Sequence, residues 1–180
     1  LADDYEMFTA AQRRAARILE WAYLPDTGSW ARGFDKWGRL DEDKEWWVYC
    51  ELDQVAGALS LNDTSYARYI AKTHQYWFRY MVDHRHHEIW HLVSAGTNAP
   101  VPAFPKQHSW KNALHSFEHA LVSYLAGQHL HGLPAELYYA FDEVPGHADI
   151  NPYFYAGKVQ RLEPVAPHAN RHRVLFTDIH

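Results

Sequence analysis

Four stretches of the chain carry apolar side chains three and four residues apart, and that period limits the fold more than any other feature. Residues 6–23 (EMFTAAQRRAARILEWAY) place Phe8, Ala11, Ala15, Ile18, Leu19 and Ala22 on one helical face, and Pro25 and Gly28 close the element. A second helix is expected over 44–61, with a core stripe of Val48, Leu52, Val55 and Leu59. Asn62-Asp63 breaks it and caps a third at 64–82, whose inner face reads Tyr66, Tyr69, Ile70, Thr73, Trp77, Tyr80 and Met81. The fourth, 109–130, stops at Gly132-Leu133-Pro134 and offers Leu114, Phe117, Leu121 and Leu125 to a core.

The remaining segments lack this period. Residues 28–43 form a turn-rich loop around Asp35-Lys36-Trp37-Gly38, and in 84–107 only Glu88 to Val93 reads as a short strand. A connection as long as 84–107 is uncommon unless it lines a site. Residues 135–142 suggest a short helical or irregular piece, while Tyr153–Val159 and Val174–Ile179 are β-like. The expectation is a mainly α fold of stacked antiparallel helix pairs over 1–144, with short β strands and a β-rich tail, 145–180, packed on the same domain.

Composition narrows the function classes. A 180-residue chain that is 47% hydrophobic can bury a real core. Its net charge of -5 gives no basic footprint for nucleic acid or an anionic membrane, and no apolar run is long enough to span a bilayer. The single cysteine, Cys50, excludes an internal disulfide and fits a reducing compartment. With no signal-peptide pattern, a cytoplasmic location is expected. The chain opens on Leu1 rather than methionine, which suggests a processed product or a fragment. Its 8 Trp and 12 Tyr suit an aromatic core and equally a site that stacks on sugar faces.

Two constellations can carry chemistry. In KEWWVYCELDQ (44–54), Trp47, Glu51 and Gln54 share a stripe bordering the core, where a carboxylate and an amide can bind sugar hydroxyls beside a ring. The same pattern also fits an ordinary boundary helix. In HSWKNALHSFEHALVSY (108–124), Lys111, His115, Glu118 and Val122 share a stripe, and a histidine beside a carboxylate suits proton transfer near neutral pH. His115, Glu118 and His119 also match the H-x-x-E-H spacing of a zinc hydrolase, with Glu136, Glu143 or Glu163 as possible third ligands; none of these lies in a recognisable second motif. The loop histidines His84, His86, His87 and His91 lack a cysteine or carboxylate partner and read as solvated.

Taken together, these stretches resemble the N-acylglucosamine 2-epimerase superfamily, which includes cellobiose 2-epimerases and mannose isomerases. Lys44-Glu45-Trp46-Trp47 with Glu51 fits its K-x-W-W-x-x-x-E helix, and Gly33-Phe34-Asp35-Lys36-Trp37-Gly38 fits the G-F-D-x-x-G turn before it. Lys111 and His115 match the first two fixed positions of K-x-x-x-H-x-x-R, while Asp83, Glu88 and Trp90 resemble an acidic strand with a G-E-W core that here lacks the glycine. The resemblance covers roughly residues 5–130. It departs at Glu118, where the pattern has arginine, so an anion stands where a cation would hold a substrate oxygen.

The resemblance implies the C-terminal half of an (α/α)6 toroid. The other catalytic histidine, in a G-H-x-x-E helix, is expected before Leu1, since Gly146-His147-Ala148-Asp149 comes too late to replace it. It implies a sugar 2-epimerase or aldose–ketose isomerase working through a cis-enediolate, without metal or other cofactor. His115 would be one acid/base group; Trp47 and Glu51 would hold the sugar, with Trp46, Lys111 and position 118 at the rim or in support. His119 falls back to a bystander. A small-molecule sugar is the expected partner, with a second chain or a missing N-terminal half completing the barrel. A non-catalytic carbohydrate-binding or structural relative is the competing reading.

Overall fold

Helix α1 (Ala2–Ala22) runs almost the full length of the expected first helix and is followed by two tight hairpins. The structure is a computed structural model and describes residues 2–180. On α1 only Leu19 of the expected stripe is fully buried, while Phe8 and Ile18 face outward beside Tyr5, Met7 and Trp21. No helix among the described residues is long and apolar enough to cross a membrane.

The turn-rich segment is laced rather than loose. Strands β1 (Tyr23–Leu24) and β2 (Ser29–Trp30) pair antiparallel, as do β3 (Gly33–Phe34) and β4 (Leu40–Asp41). Gly28 closes the first hairpin at φ +62, and a Cβ there would lie 2.8 Å from the Lys72 Cβ, so only glycine fits without strain. Asp35 Oδ1 closes the second, accepting from the amides of Trp37 and Arg39 at 2.8 and 2.9 Å. Strand β5 (Lys44–Glu45) then pairs with β6 (Leu92–Val93), tying the long 84–107 segment to the start of the next helix.

Helix α2 (Trp46–Ser60) therefore begins two residues later than its periodicity suggested. Its buried face is Trp46, Tyr49, Cys50, Leu52, Asp53, Ala56, Gly57 and Ser60, so the expected stripe of Val48, Val55 and Leu59 is rotated to the half-buried flank. A polar Asp53 at the centre of this face hides the true stripe from a hydrophobicity reading. The third rod is continuous but changes type: a 3-10 turn (Thr64–Tyr66), α3 (Ala67–Tyr76) and a π-helical turn (Trp77–Met81). Asp63 caps its start, accepting from the Ser65 amide at 2.9 Å.

Helix α4 (Leu114–Leu130) starts five residues later than expected, because residues 108–113 are held as a turn. The Lys111 amide bonds the His108 carbonyl at 3.1 Å, and Asn112 Oδ1 accepts from the Leu114 amide at 3.0 Å. Lys111 thus precedes the helix instead of sharing its stripe. The expected core stripe is also corrected: Leu114 and Phe117 are exposed, and His119, Val122, Leu125 and Ala126 are buried. Gly132 at φ +65 ends the helix, with the Leu133 amide reaching the Gln128 carbonyl at 2.9 Å.

The piece expected to be helical or irregular at 135–142 is a strand, β7 (Ala135–Ala140), in which Ala135, Leu137 and Tyr139 turn to the core at every second position. It joins β8 (Lys158–Val165) and β9 (His168–Thr177) in an antiparallel sheet of order β7-β9-β8. The sheet thus draws in residues before 145, while Tyr153 to Gly157 lie in a turn and not in the expected strand.

Two apolar clusters result. One gathers Leu19, Trp30, Trp46, Tyr49, Tyr69, Trp77 and Met81 between α1, α2 and α3; the other gathers Leu125, Ala126, Val174 and Phe176 between α4 and the sheet. Each large side chain buried this way contributes about 2 kcal/mol, more than an exposed ion pair such as Arg39–Asp35 supplies. Helices α2 and α4 approach closely at Gly57, whose Cβ position would lie 3.5 Å from Val122 Cγ1. That contact sets the distance between the two helices carrying the candidate site.

Candidate active site

The six residues singled out in the sequence converge. His115, in the first turn of α4, places Nδ1 2.7 Å from Glu51 Oε1 on α2. Trp46 meets the imidazole edge-on with ring centroids 5.2 Å apart, and Trp47 lies on another side at 6.1 Å. Glu51, His115 and Glu118 have side-chain atoms within 4.8 Å of one another. Lys111 lies with Nζ 5.2 Å over the Trp46 ring and pairs with Glu88 Oε1 at 2.8 Å. It reaches the site from the turn before α4.

Burial grades across this group. Lys111 is almost wholly enclosed, so its pairing with Glu88 holds the wall of the site rather than projecting into solvent. Glu88 has its carboxyl pKa lowered, the Ile89 amide and Lys111 outweighing partial burial. His115 and Glu51 are half-exposed, and Trp47 is 43% exposed, which leaves its ring accessible as a platform. Trp46 Nε1 is buried with no hydrogen-bond partner among the described residues. Such a donor is suited to a ligand hydroxyl.

The sequence reading missed one member. Tyr153, from the turn before β8, donates its hydroxyl to Glu118 Oε1. This bond and the adjacent carboxylate push its phenol pKa up to about 12. The carboxylate standing in place of the pattern's arginine is therefore held by the tail. Nothing in the local sequence around Tyr153 signals this contact, which spans 35 residues.

His115 and His119 do not share a partner. His119 is buried and places Nε2 2.8 Å from Asp53 Oδ2. Asp53 Oδ1 accepts from Trp30 Nε1 at 2.7 Å and from Thr73 Oγ1 at 2.5 Å, and His74 Nε2 lies 3.6 Å from Asp53 Oδ2. The H-x-x-E-H spacing is thus divided between two clusters, each with its own carboxylate. Of the loop histidines, His84, His86 and His87 are exposed, while His91 Nδ1 meets His108 Nε2 at 2.8 Å and its ring stacks on Phe104. Burial lowers the His91 pKa.

No protein-family model matches the chain, and no curated protein matches it. Among solved structures it is similar to cellobiose 2-epimerase from Bacillus thermoamylovorans B4167, at 19% identity and TM-score 0.52 over 63% of this chain and 29% of that one. The cellobiose 2-epimerase from Spirochaeta thermophila DSM 6192 gives 19% and 0.54 over 64% and 28%. A D-mannose isomerase gives 21% and 0.50 over 57% and 26%. The chain thus spans under a third of the length of these structures. The likeness is one of fold.

Proposed function

We propose that the chain is part of a sugar 2-epimerase or aldose–ketose isomerase, its helices forming a portion of an (α/α)6 toroid and His115 serving as one acid/base group. The observation that carries this reading is the His115–Glu51 pair at 2.7 Å, set against two tryptophans. A carboxylate on Nδ1 fixes the ring and its tautomer, so Nε2 is the atom that takes or returns a proton. Removal of the proton at C2 of an open-chain aldose gives a cis-enediolate. Reprotonation at C2 from the opposite face yields the epimer, and protonation at C1 yields the ketose.

The other residues have binding roles. The exposed face of Trp47 stacks on the sugar, Trp46 Nε1 donates to a hydroxyl, and Glu51 and Glu118 accept from hydroxyls. Two carboxylates beside one histidine favour a neutral sugar over an anionic one. A cytoplasmic setting goes with this reading. The test is NMR of candidate aldoses in D₂O with the complete gene product. Deuterium entering at C2, and lost in His115→Ala, supports the assignment; full exchange in that variant removes His115 from the mechanism.

One observation favours a second reading, a carbohydrate-binding relative without turnover. Glu118, bonded to Tyr153, replaces a cation that would hold a substrate oxygen. Saturable sugar binding that broadens the indole resonances, with no C2 exchange for any aldose, would select it.

A further inference from the structure

A second cluster lies deeper between α2, α3 and α4 and takes no part in the proposed proton transfer. Asp53, with its side chain fully enclosed, directs Oδ2 at two imidazoles: His119 Nε2 at 2.8 Å and His74 Nε2 at 3.6 Å. The three ligand-type atoms lie within 4.8 Å of one another. Ligand atoms about 2.0–2.1 Å from a tetrahedral zinc are separated from each other by roughly 3.3 Å, and the two measured edges bracket that value. The other carboxylate oxygen is held by Trp30 Nε1 and Thr73 Oγ1, which fixes the plane of the ligand as outer contacts do around metals.

Hydrogen bonds pair His119 with Asp53 and His74 with Ser123, while the approach of His74 to Asp53 is unbonded. His74 Nε2 is too far from Oδ2 to bond it and lies 3.1 Å from Ser123 Oγ. Two imidazoles and a carboxylate meeting in a largely buried space form an electron-rich set that a cation completes. The site is also reachable. His74 and His119 line a groove of about 510 Å³ with Trp77, Phe78 and Tyr124, and on the same wall Ser116 Oγ is buried without a partner. The π-helical turn Trp77–Met81 begins three residues after His74, a backbone form that concentrates at functional sites.

We propose that Asp53, His74 and His119 bind one divalent transition metal of the zinc class, with its remaining coordination position open to the groove lined by Ser116 and Trp77. The site clamps three helices and is independent of the His115 chemistry.

The test uses the full chain, freed of metal by chelator dialysis. It is titrated with Zn²⁺ by calorimetry and with Co²⁺ by visible absorption. One ion per chain is expected, with the intense ligand-field bands of low-coordinate cobalt, bleached by added zinc. His119→Ala and His74→Gln are each expected to weaken binding on the order of tenfold to a hundredfold or more, while His115→Ala binds as the parent does. His74 is partly exposed, so its glutamine variant retains the fold if His119→Ala does not, and circular dichroism verifies this. Absence of saturable uptake by the parent overturns the proposal, as does retention of binding in His74→Gln. Loss of binding in His115→Ala alone also overturns it, by moving the ion to Glu51, His115 and Glu118.

Discussion

Glu51 and His115 lie 64 residues apart in the chain and meet at 2.7 Å across the α2–α4 interface. The carboxylate at Nδ1 fixes the orientation and tautomer of the ring. His115→Ala is expected to lower C2 exchange by ~10²–10⁴. Glu51→Gln, which keeps the hydrogen bond but removes the charge, should lower kcat by about tenfold or more. Initial rates of deuterium incorporation measure both. Equal rates for the parent and Glu51→Gln would show that the carboxylate only fills space.

Asp53→Ala should be among the most destabilising single changes in the chain. It strips acceptors from Trp30, Thr73 and His119 at once, and the Asp53 side chain itself is fully enclosed. A loss of about 3 kcal/mol is expected, lowering Tm by roughly 10 °C. Thermal melts in chelator-treated buffer check this without interference from metal. A change within about 0.5 kcal/mol, typical of surface substitutions, would mean that the three donors find water.

His91 supplies an acid-side weakness. Burial against Phe104 lowers its pKa, and the nearby Glu45 offsets this only in part. The unfolded chain then binds more protons than the folded one below the ordinary value of about 6.5. Stability from this group is complete above that pH and is lost as pH falls through the folded value. Urea midpoints should fall as the pH drops below about 6.5 and fall less steeply in His91→Gln. His74, lowered for the same reason, keeps part of the slope in that variant.

Tyr153 and Glu118 form one unit. Tyr153→Phe and Glu118→Gln should each cost about 1 kcal/mol in unfolding experiments, and the double variant little more than either. Additive losses would show that each side chain is held by something else.

How much of this was legible depends on what each residue touches. The helix period located α1 to α4, but it misplaced the stripes on α2 and α4, and on α1 only Leu19 of the expected face is fully buried. On α2 the buried face runs through Asp53, which a search for apolar positions skips; on α4, Leu114 and Phe117 are apolar and yet exposed. Strand β7 was misread because a six-residue run after Pro134 fits either period until its pairing with β9 is known. The six candidate residues could be named because their order matched a known pattern. Asp53, His74 and Tyr153 belonged to no such pattern, and their partners are too distant in the chain for spacing to disclose.

The tail's hold on Glu118 has a consequence for how such a site can diversify. The proposed acid–base pair, His115 and Glu51, sits on two packed helices, whereas Tyr153 arrives on a turn whose neighbour, Phe154, is 84% exposed. Changes in that turn can therefore reshape the ligand's surroundings at little cost to folding. Under the proposed function, the pair on α2 and α4 would stay constant while changes of ligand are recorded in residues outside the recognisable helices.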